Sequence, residues 1–221
     1  MDKRIKATSA FIFKHSLFLA LLLSIIFISL AAGLGHYSNE VIPGNPSPTA
    51  RYLAEPGTHL DFLAEWDSVH YIHIAQHGYT DQTLTAFFPL YPLMIRLFMF
   101  VIHSPLLSSL TVSWLSLVGA LYFYIKIIKL LFGKSPITIA RSVMLFLFFP
   151  TGIFLAVAYT EAPFAFLALG AIYFAITDRS FKAGGLTALA TATHPDGVLI
   201  AVLVALLLYE SKAKLFRLGH Q

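Results

Sequence analysis

Two short segments hold most of the residues able to do chemistry. They are Glu65-Trp66-Asp67-Ser68-Val69-His70-Tyr71-Ile72 and Phe87-Phe88-Pro89-Leu90-Tyr91-Pro92. In the first, Asp67 follows Trp66 directly and precedes Tyr71 by one helical turn. A carboxylate among aromatic and apolar groups ionises less readily than one in water, which moves it toward the range of a general base. Asp67, His70, His73 or Ile74, and His77 recur at three- and four-residue intervals, so a helix here puts them on one face. The plainer reading is an interfacial helix whose Trp66 and Tyr71 sit among headgroups while Asp67 and the histidines face water. His70, His73 and His77 have a spacing that suits a metal, and a divalent ion would help hold a phosphate leaving group. Solvated histidines are the simpler account. No cofactor is certain from the sequence, and a divalent cation is the one candidate.

The second segment is aromatic and stiff. Pro89 and Pro92 each fix a φ angle, and Tyr91, standing before Pro92, is biased away from helix, so Leu90-Tyr91 is expected to be non-helical. Phe88 and Tyr91 in such a wall suit a sugar or an isoprenoid chain, and an aromatic belt at the membrane surface is the equal alternative. Arg96 can grip a lipid phosphate with two parallel hydrogen bonds, or simply reach toward headgroups. Tyr159-Thr160-Glu161 puts a second acid, Glu161, where one apolar run gives way to the next. It would orient an acceptor hydroxyl or steady a helix N-terminus. His194-Pro195-Asp196-Gly197 interrupts an apolar stretch, and ionisable groups at such a break are functional candidates. A mutual His194–Asp196 hydrogen bond is the alternative.

The elements that must position these residues follow from composition. The 221-residue chain is 57% hydrophobic and only 12% charged, against about 25% charged residues in a typical soluble domain. Apolar runs near the ~20 residues that cross a bilayer recur, which predicts an all-α, polytopic transmembrane helical bundle. A β-barrel would need alternating segments of about ten residues, and none is visible. The chain has no cysteine, which removes disulfides and Cys-based metal sites. A net charge of +4 does not indicate nucleic acid as a partner, because the basic residues flank apolar spans, where they set orientation. Lys3, Arg4, Lys6 and Lys14 precede an apolar run from Ser16 to Leu34 that is too long for a signal-peptide core, so it is read as a retained first span.

The expected organisation is a cytoplasmic N-terminus over 1–14, a first span over 15–35 and an external loop over 36–107 that holds interfacial helices and the candidate site. A transmembrane bundle over 108–209, with a broken helix at 194–197, and a cytoplasmic tail over 210–221 complete it. Within the bundle the expected spans are 108–130, 139–158 and 161–177. Residues 42–57 read as irregular loop from their prolines and glycines, and 59–77 as a helix stopped by Gly78. The stretch 86–103 is assigned to the outer interface. Arg96 at mid-bilayer would cost roughly 2.5–3.5 kcal/mol, and the non-crossing arrangement leaves thirteen of the fifteen Lys and Arg inside. For 183–209, a broken pair that dips into the bundle and returns is preferred to one kinked span.

Taken together, these segments resemble the PIG-V-type mannosyltransferases. Trp66-Asp67, Tyr71, Ile74-Ala75, Gly78-Tyr79 and Phe87 through Pro92 are similar to the first external loop of that family. Phe149-Pro150-Thr151 with Tyr159-Thr160-Glu161 resembles its next region, and Ala183-Gly184-Gly185-Leu186 through Thr193-His194-Pro195-Asp196-Gly197 a third. The match in order and spacing runs over about residues 60–200. The resemblance implies the GT-C class of membrane glycosyltransferases, which take a sugar from a polyprenyl-phosphate donor such as dolichyl-phosphate mannose. The reaction occurs outside the cytoplasm, at the plasma membrane of a prokaryote or in the ER membrane of a eukaryote, where members add the second mannose of GPI anchors. An acid in the first external loop is the usual base, which maps to Asp67.

On that basis the expected reaction is inverting transfer to a lipid-linked or glycan acceptor, with Asp67 and Glu161 catalytic. Trp66, His70, Tyr71, Phe88, Tyr91, Arg96, Tyr159 and His194 are expected to bind substrate, and Arg96 with His70 or His194 to steady the leaving phosphate. The family carries Arg where this chain has His194, so a permanent charge gives way to one that depends on pH. Its enzymes are also longer, and the match corresponds to their N-terminal half. Membrane lipids are expected partners in any case. The rival readings are a non-catalytic membrane subunit with a partner membrane protein, and a transporter of lipid-linked sugars. The latter should show inverted repeats, and none is apparent.

Overall fold

The structure is a computed structural model that describes residues 3–41, 60–64 and 66–218, with side chains described at 16–37, 60, 62–64 and 66–211. The loop expected at 42–57, Glu65 and the side chains of the expected cytoplasmic ends lie outside the described residues. The described part is helical, and no strand occurs in it.

Helix α1 (Lys3–Val41) carries an uninterrupted apolar stretch, Ser16–Tyr37, of 22 residues. Helix α4 (Pro105–Leu131) is 27 residues long. It begins where Ser104 accepts a hydrogen bond from the Leu107 N–H at 3.1 Å, and Pro105 occupies a first-turn position whose N–H would have no helical partner. These two helices are long and apolar enough to cross a membrane by length and composition. Helix α2 (Ser68–His77) and helix α3 (Leu90–Ile102) precede α4; α5 (Pro136–Leu147), α6 (Glu161–Ile176), α7 (Ser180–Thr191) and α8 (Gly197–Leu218) follow it.

Helix α4 is the hub, packing against α1, α3, α5 and α6, while α6 packs on α7 and α8. Leu117, Leu121 and Ile125 of α4 bury against Ala20 and Phe27 of α1 and Ile139 and Val143 of α5. The α6–α7–α8 layer meets through Ala171, Ala175, Ala183 and Val204. Small residues at these crossings let backbones approach, which matters where lipid offers no hydrophobic drive between helices. Gly119, for example, lies against the Phe166 ring.

Four expectations change. The helix expected over 59–77 is split into a 3-10 turn, Asp61–Leu63, and α2. The split falls at Trp66, whose φ of 52° is left-handed. The predicted stop at Gly78 (φ 79°) is present. Leu90 and Tyr91, expected to be non-helical, open α3. Pro92 falls in the first turn, where a missing N–H costs nothing, and the Leu90 N–H instead donates to the Ala192 carbonyl at 3.0 Å. The span expected over 139–158 is interrupted: α5 ends at Leu147 and a 3-10 turn covers Gly152–Leu155. Pro150 disfavours helix at Phe149, and Gly152 folds back onto the Leu147 carbonyl, leaving no room for a Cβ. Finally, the broken helix pauses over 192–196 and resumes at Gly197.

At Gly197 a Cβ would collide with the backbone of Ala190 and Thr191. Since backbone cannot swing aside as a flexible side chain can, Gly197→Ala is expected to cost about 1–3 kcal/mol. It should lower the thermal midpoint of the detergent-solubilised protein, whereas Gly184→Ala, where a Cβ meets nothing within 4 Å, should not.

Candidate active site

Asp67 occupies the N-cap position of α2 (φ −69°, ψ −13°), and its side chain makes no capping hydrogen bond. The carboxylate is therefore not committed to the helix and stands exposed. The neighbouring left-handed Trp66 turns the chain sharply. Its ring is 61% exposed and lies 5.5 Å, centroid to centroid, from Phe154. A bulky residue at positive φ costs roughly 1–3 kcal/mol and persists where surrounding structure enforces it.

Behind Asp67 lies a cluster of rings centred on Tyr71. Its centroid is 5.0 Å from Phe87, 5.3 Å from Tyr91 and 6.3 Å from Tyr159. The His70 ring lies 4.9 Å from Phe87, and the Tyr79 hydroxyl donates to the Phe87 carbonyl at 2.8 Å. Tyr91, expected to line a ligand slot, is instead wholly buried. Its hydroxyl is 2.9 Å from Ser113 Oγ, and Ser113 Oγ donates to the Tyr159 carbonyl at 3.2 Å. Tyr91 thus supports the site from behind.

The irregular segment carrying Tyr159 is held from both sides. Trp114 Nε1–H donates to the Ala156 carbonyl at 2.7 Å, and the Ala158 N–H donates to the Leu63 carbonyl at 2.8 Å. These bonds satisfy backbone groups that have no helical partners, and they fix Tyr159-Thr160-Glu161 beside Asp67. Burial pushes the Tyr159 phenol up, and the Asp67 carboxylate adds to the effect. Burial likewise pushes the Tyr71 phenol up, opposed by its bond to the Thr160 hydroxyl and reinforced by Asp67 and Glu161. Both phenols therefore stay protonated at neutral pH, with two carboxylates in their immediate surroundings.

Glu161 is the first residue of α6, an acid at a helix N-terminus as its sequence position suggests. Its carboxylate interacts with the Thr160 hydroxyl and its own N–H. The Oε2 atom is buried and makes no hydrogen bond to a described group. Glu161 also lines a cavity of 520 Å³ whose walls include Phe149, Thr151, Phe164, His194 and Asp196. His194 Nδ1 lies 3.4 Å from Asp196 Oδ2 and 3.3 Å from the Asp196 backbone nitrogen, and the ring is 5.0 Å from Phe164. The mutual contact between His194 and Asp196 is thus present. The Leu90–Ala192 backbone bond ties this break to the start of α3, so the three motif regions meet although they are far apart in the chain.

Other expected residues stay apart. Arg96 is exposed on α3 and makes no hydrogen bond or ion pair to a described residue. His73 donates to or accepts from Thr80 Oγ1 at 2.9 Å and lies 4.9 Å from the His77 ring. Among the described residues no three His, Asp or Glu side chains are placed to hold a metal ion. Phe88 is half-buried. Sequence reasoning missed Ser113, Trp114 and Phe164. The signal for Ser113 was present, because Ser109, Ser113 and Ser116 repeat at helical spacing along an otherwise apolar α4 and are all buried.

Comparison with known proteins gives one family. The family model for mannosyltransferase (PIG-V) matches residues 8–212. GPI alpha-1,6-mannosyltransferase 2 of Cricetulus griseus is 34% identical over 154 residues, covering 63% of this chain and 30% of the relative. The Mus musculus protein of the same name is 31% identical over 180 residues, covering 74% of this chain and 35% of the relative. GPI mannosyltransferase 2 of Schizosaccharomyces pombe is 29% identical over 137 residues, or 60% and 29% of the two chains. The matched region spans about a third of the length of these curated relatives. No solved structure matches the chain.

Proposed function

Because the chain belongs to the PIG-V mannosyltransferase family, we propose that its two carboxylates serve the transfer of mannose from a polyprenyl-phosphate donor to a hydroxyl of a lipid-linked or glycan acceptor. Asp67 takes the proton of the acceptor hydroxyl. The acceptor oxygen bonds to the sugar's anomeric carbon as the bond from that carbon to the phosphate oxygen breaks, and the electron pair leaves with the polyprenyl phosphate. Attack from the face opposite the leaving group inverts the anomeric centre. Glu161 receives a second acceptor hydroxyl on Oε2, Tyr159 holds Asp67 in place, and Trp66 and His70 flank the entrance. Tyr71 and the buried Tyr91 brace this arrangement from behind. In this reading the bundle is of GT-C type.

The observation that carries this reading is the meeting of an uncapped aspartate and an unpartnered buried glutamate oxygen around the same pair of neutral phenols. The distribution of charge supports a site on the non-cytoplasmic side, in the plasma membrane or the ER membrane. Lys126 lies over the Tyr173 ring at 5.6 Å, and Lys182 over Phe174 at 5.3 Å. Tyr173 and Phe174 are at the C-terminal end of α6, while Glu161 starts that helix. Lysines gathered at the end of α6 away from Glu161 follow the positive-inside pattern. The deciding assay supplies the purified chain with polyprenyl-phosphate mannose or polyprenyl-phosphate glucose and a hydroxyl acceptor. Mannosylated product formed in preference to glucosylated product supports the reading. Equal use of both donors, or transfer from neither, contradicts it.

A further inference from the structure

Helices α1 and α5 leave a groove of 880 Å³ between them. Its walls are apolar, with Phe18, Leu23 and Leu30 from α1 and Val143 and Met144 from α5, but one end carries Lys129 and Lys134. Lys129 Nζ donates to Ser16 Oγ at 2.9 Å, which places that lysine beside the start of the groove. Toward the other end Phe27 and Phe148 pack edge to face at 5.6 Å. Neither Lys129 nor Lys134 forms an ion pair with a described carboxylate.

We propose that this groove binds an anionic phospholipid from the lysine-side leaflet, with its phosphate at Lys129 and Lys134 and an acyl chain lying between α1 and α5. Two features select this occupant over a transmembrane helix of another protein. The first is length. Phe18 to Leu30 covers about 18 Å of helix at ~1.5 Å per residue, which is close to one leaflet of a hydrocarbon core ~30 Å thick. A crossing helix would need the whole thickness, whereas an acyl chain needs only the length of one leaflet. The second is charge. Two lysines at the mouth of an apolar channel match a phosphate attached to a hydrocarbon tail, and such basic side chains near a membrane surface attract anionic lipid.

The test compares binding of phosphatidylglycerol and phosphatidylcholine with identical acyl chains to the full chain, by native mass spectrometry after detergent exchange. The expected result is at least a tenfold preference for phosphatidylglycerol. It should fall severalfold in Lys134→Gln, which alters only an exposed loop position, and be abolished in Lys129→Gln/Lys134→Gln. Ala140→Trp, whose ring would fill the groove, should reduce retention of both lipids. The proposal is overturned by equal binding of the two lipids to the unaltered protein, by a preference that survives the double substitution, or by retention of lipid in Ala140→Trp. It is likewise overturned if a cysteine at position 140 cross-links to a second copy of the chain in bilayers, which would show that protein fills the groove.

Discussion

Asp67→Asn is expected to lower mannosyl transfer by about 10²–10⁴-fold, the usual contribution of a positioned general base. The exchange is nearly isosteric and removes only the ability to take a proton. Asp67 makes no capping bond to α2, so the helix should form equally well and the protein should keep its yield and thermal midpoint. Binding of donor should be little altered, so the loss should appear in kcat at saturating donor and acceptor. Turnover within a few-fold of the unaltered protein would remove Asp67 from the role of base. Asp67→Glu, which keeps the carboxylate but moves it by one methylene, should recover only part of the rate, because reacting groups must meet within hydrogen-bond reach.

Glu161→Gln is expected to act differently. A hydrogen bond contributes roughly 0.5–1.5 kcal/mol, and about 1.5–3 kcal/mol to a charged group, so a lost acceptor contact should raise the acceptor KM by about 2–100-fold. The donor KM and kcat should move much less. The prediction rests on Oε2, which is buried without a described partner and sits on the wall of the 520 Å³ cavity. The amide would put either a donor or a weaker acceptor where the carboxylate oxygen now points. A large fall in kcat with an unchanged acceptor KM would contradict the assignment and place Glu161 at the proton-transfer step.

The sequence showed the long apolar helices and the Gly78 stop, because each depends on local composition. It did not show where helices pause. The left-handed Trp66 is a bulky residue in a conformation that its own type disfavours, so only the packing of the surrounding chain reveals it. Leu90 and Tyr91 looked non-helical because the rule for the residue before proline ignores the first helical turn, where the lost N–H has no cost. The break of α5 at Leu147 depends on Gly152 meeting a carbonyl five residues earlier, a contact without a sequence period. Tyr91 illustrates the limit for the site. An aromatic residue in a motif reads equally well as a ligand contact or a brace, and only the structure shows that Tyr91 is buried and bonded to Ser113 on another helix.

The side of the membrane on which Asp67 stands is the most direct test of the account. Because the chain has no native cysteine, single cysteines at Asp67→Cys and Lys134→Cys can be probed in sealed vesicles of known orientation with a membrane-impermeant maleimide. The account predicts labelling of position 67 from the non-cytoplasmic side only and of position 134 from the cytoplasmic side only. Labelling of position 67 from the cytoplasmic side, or of both positions from the same side, would contradict it.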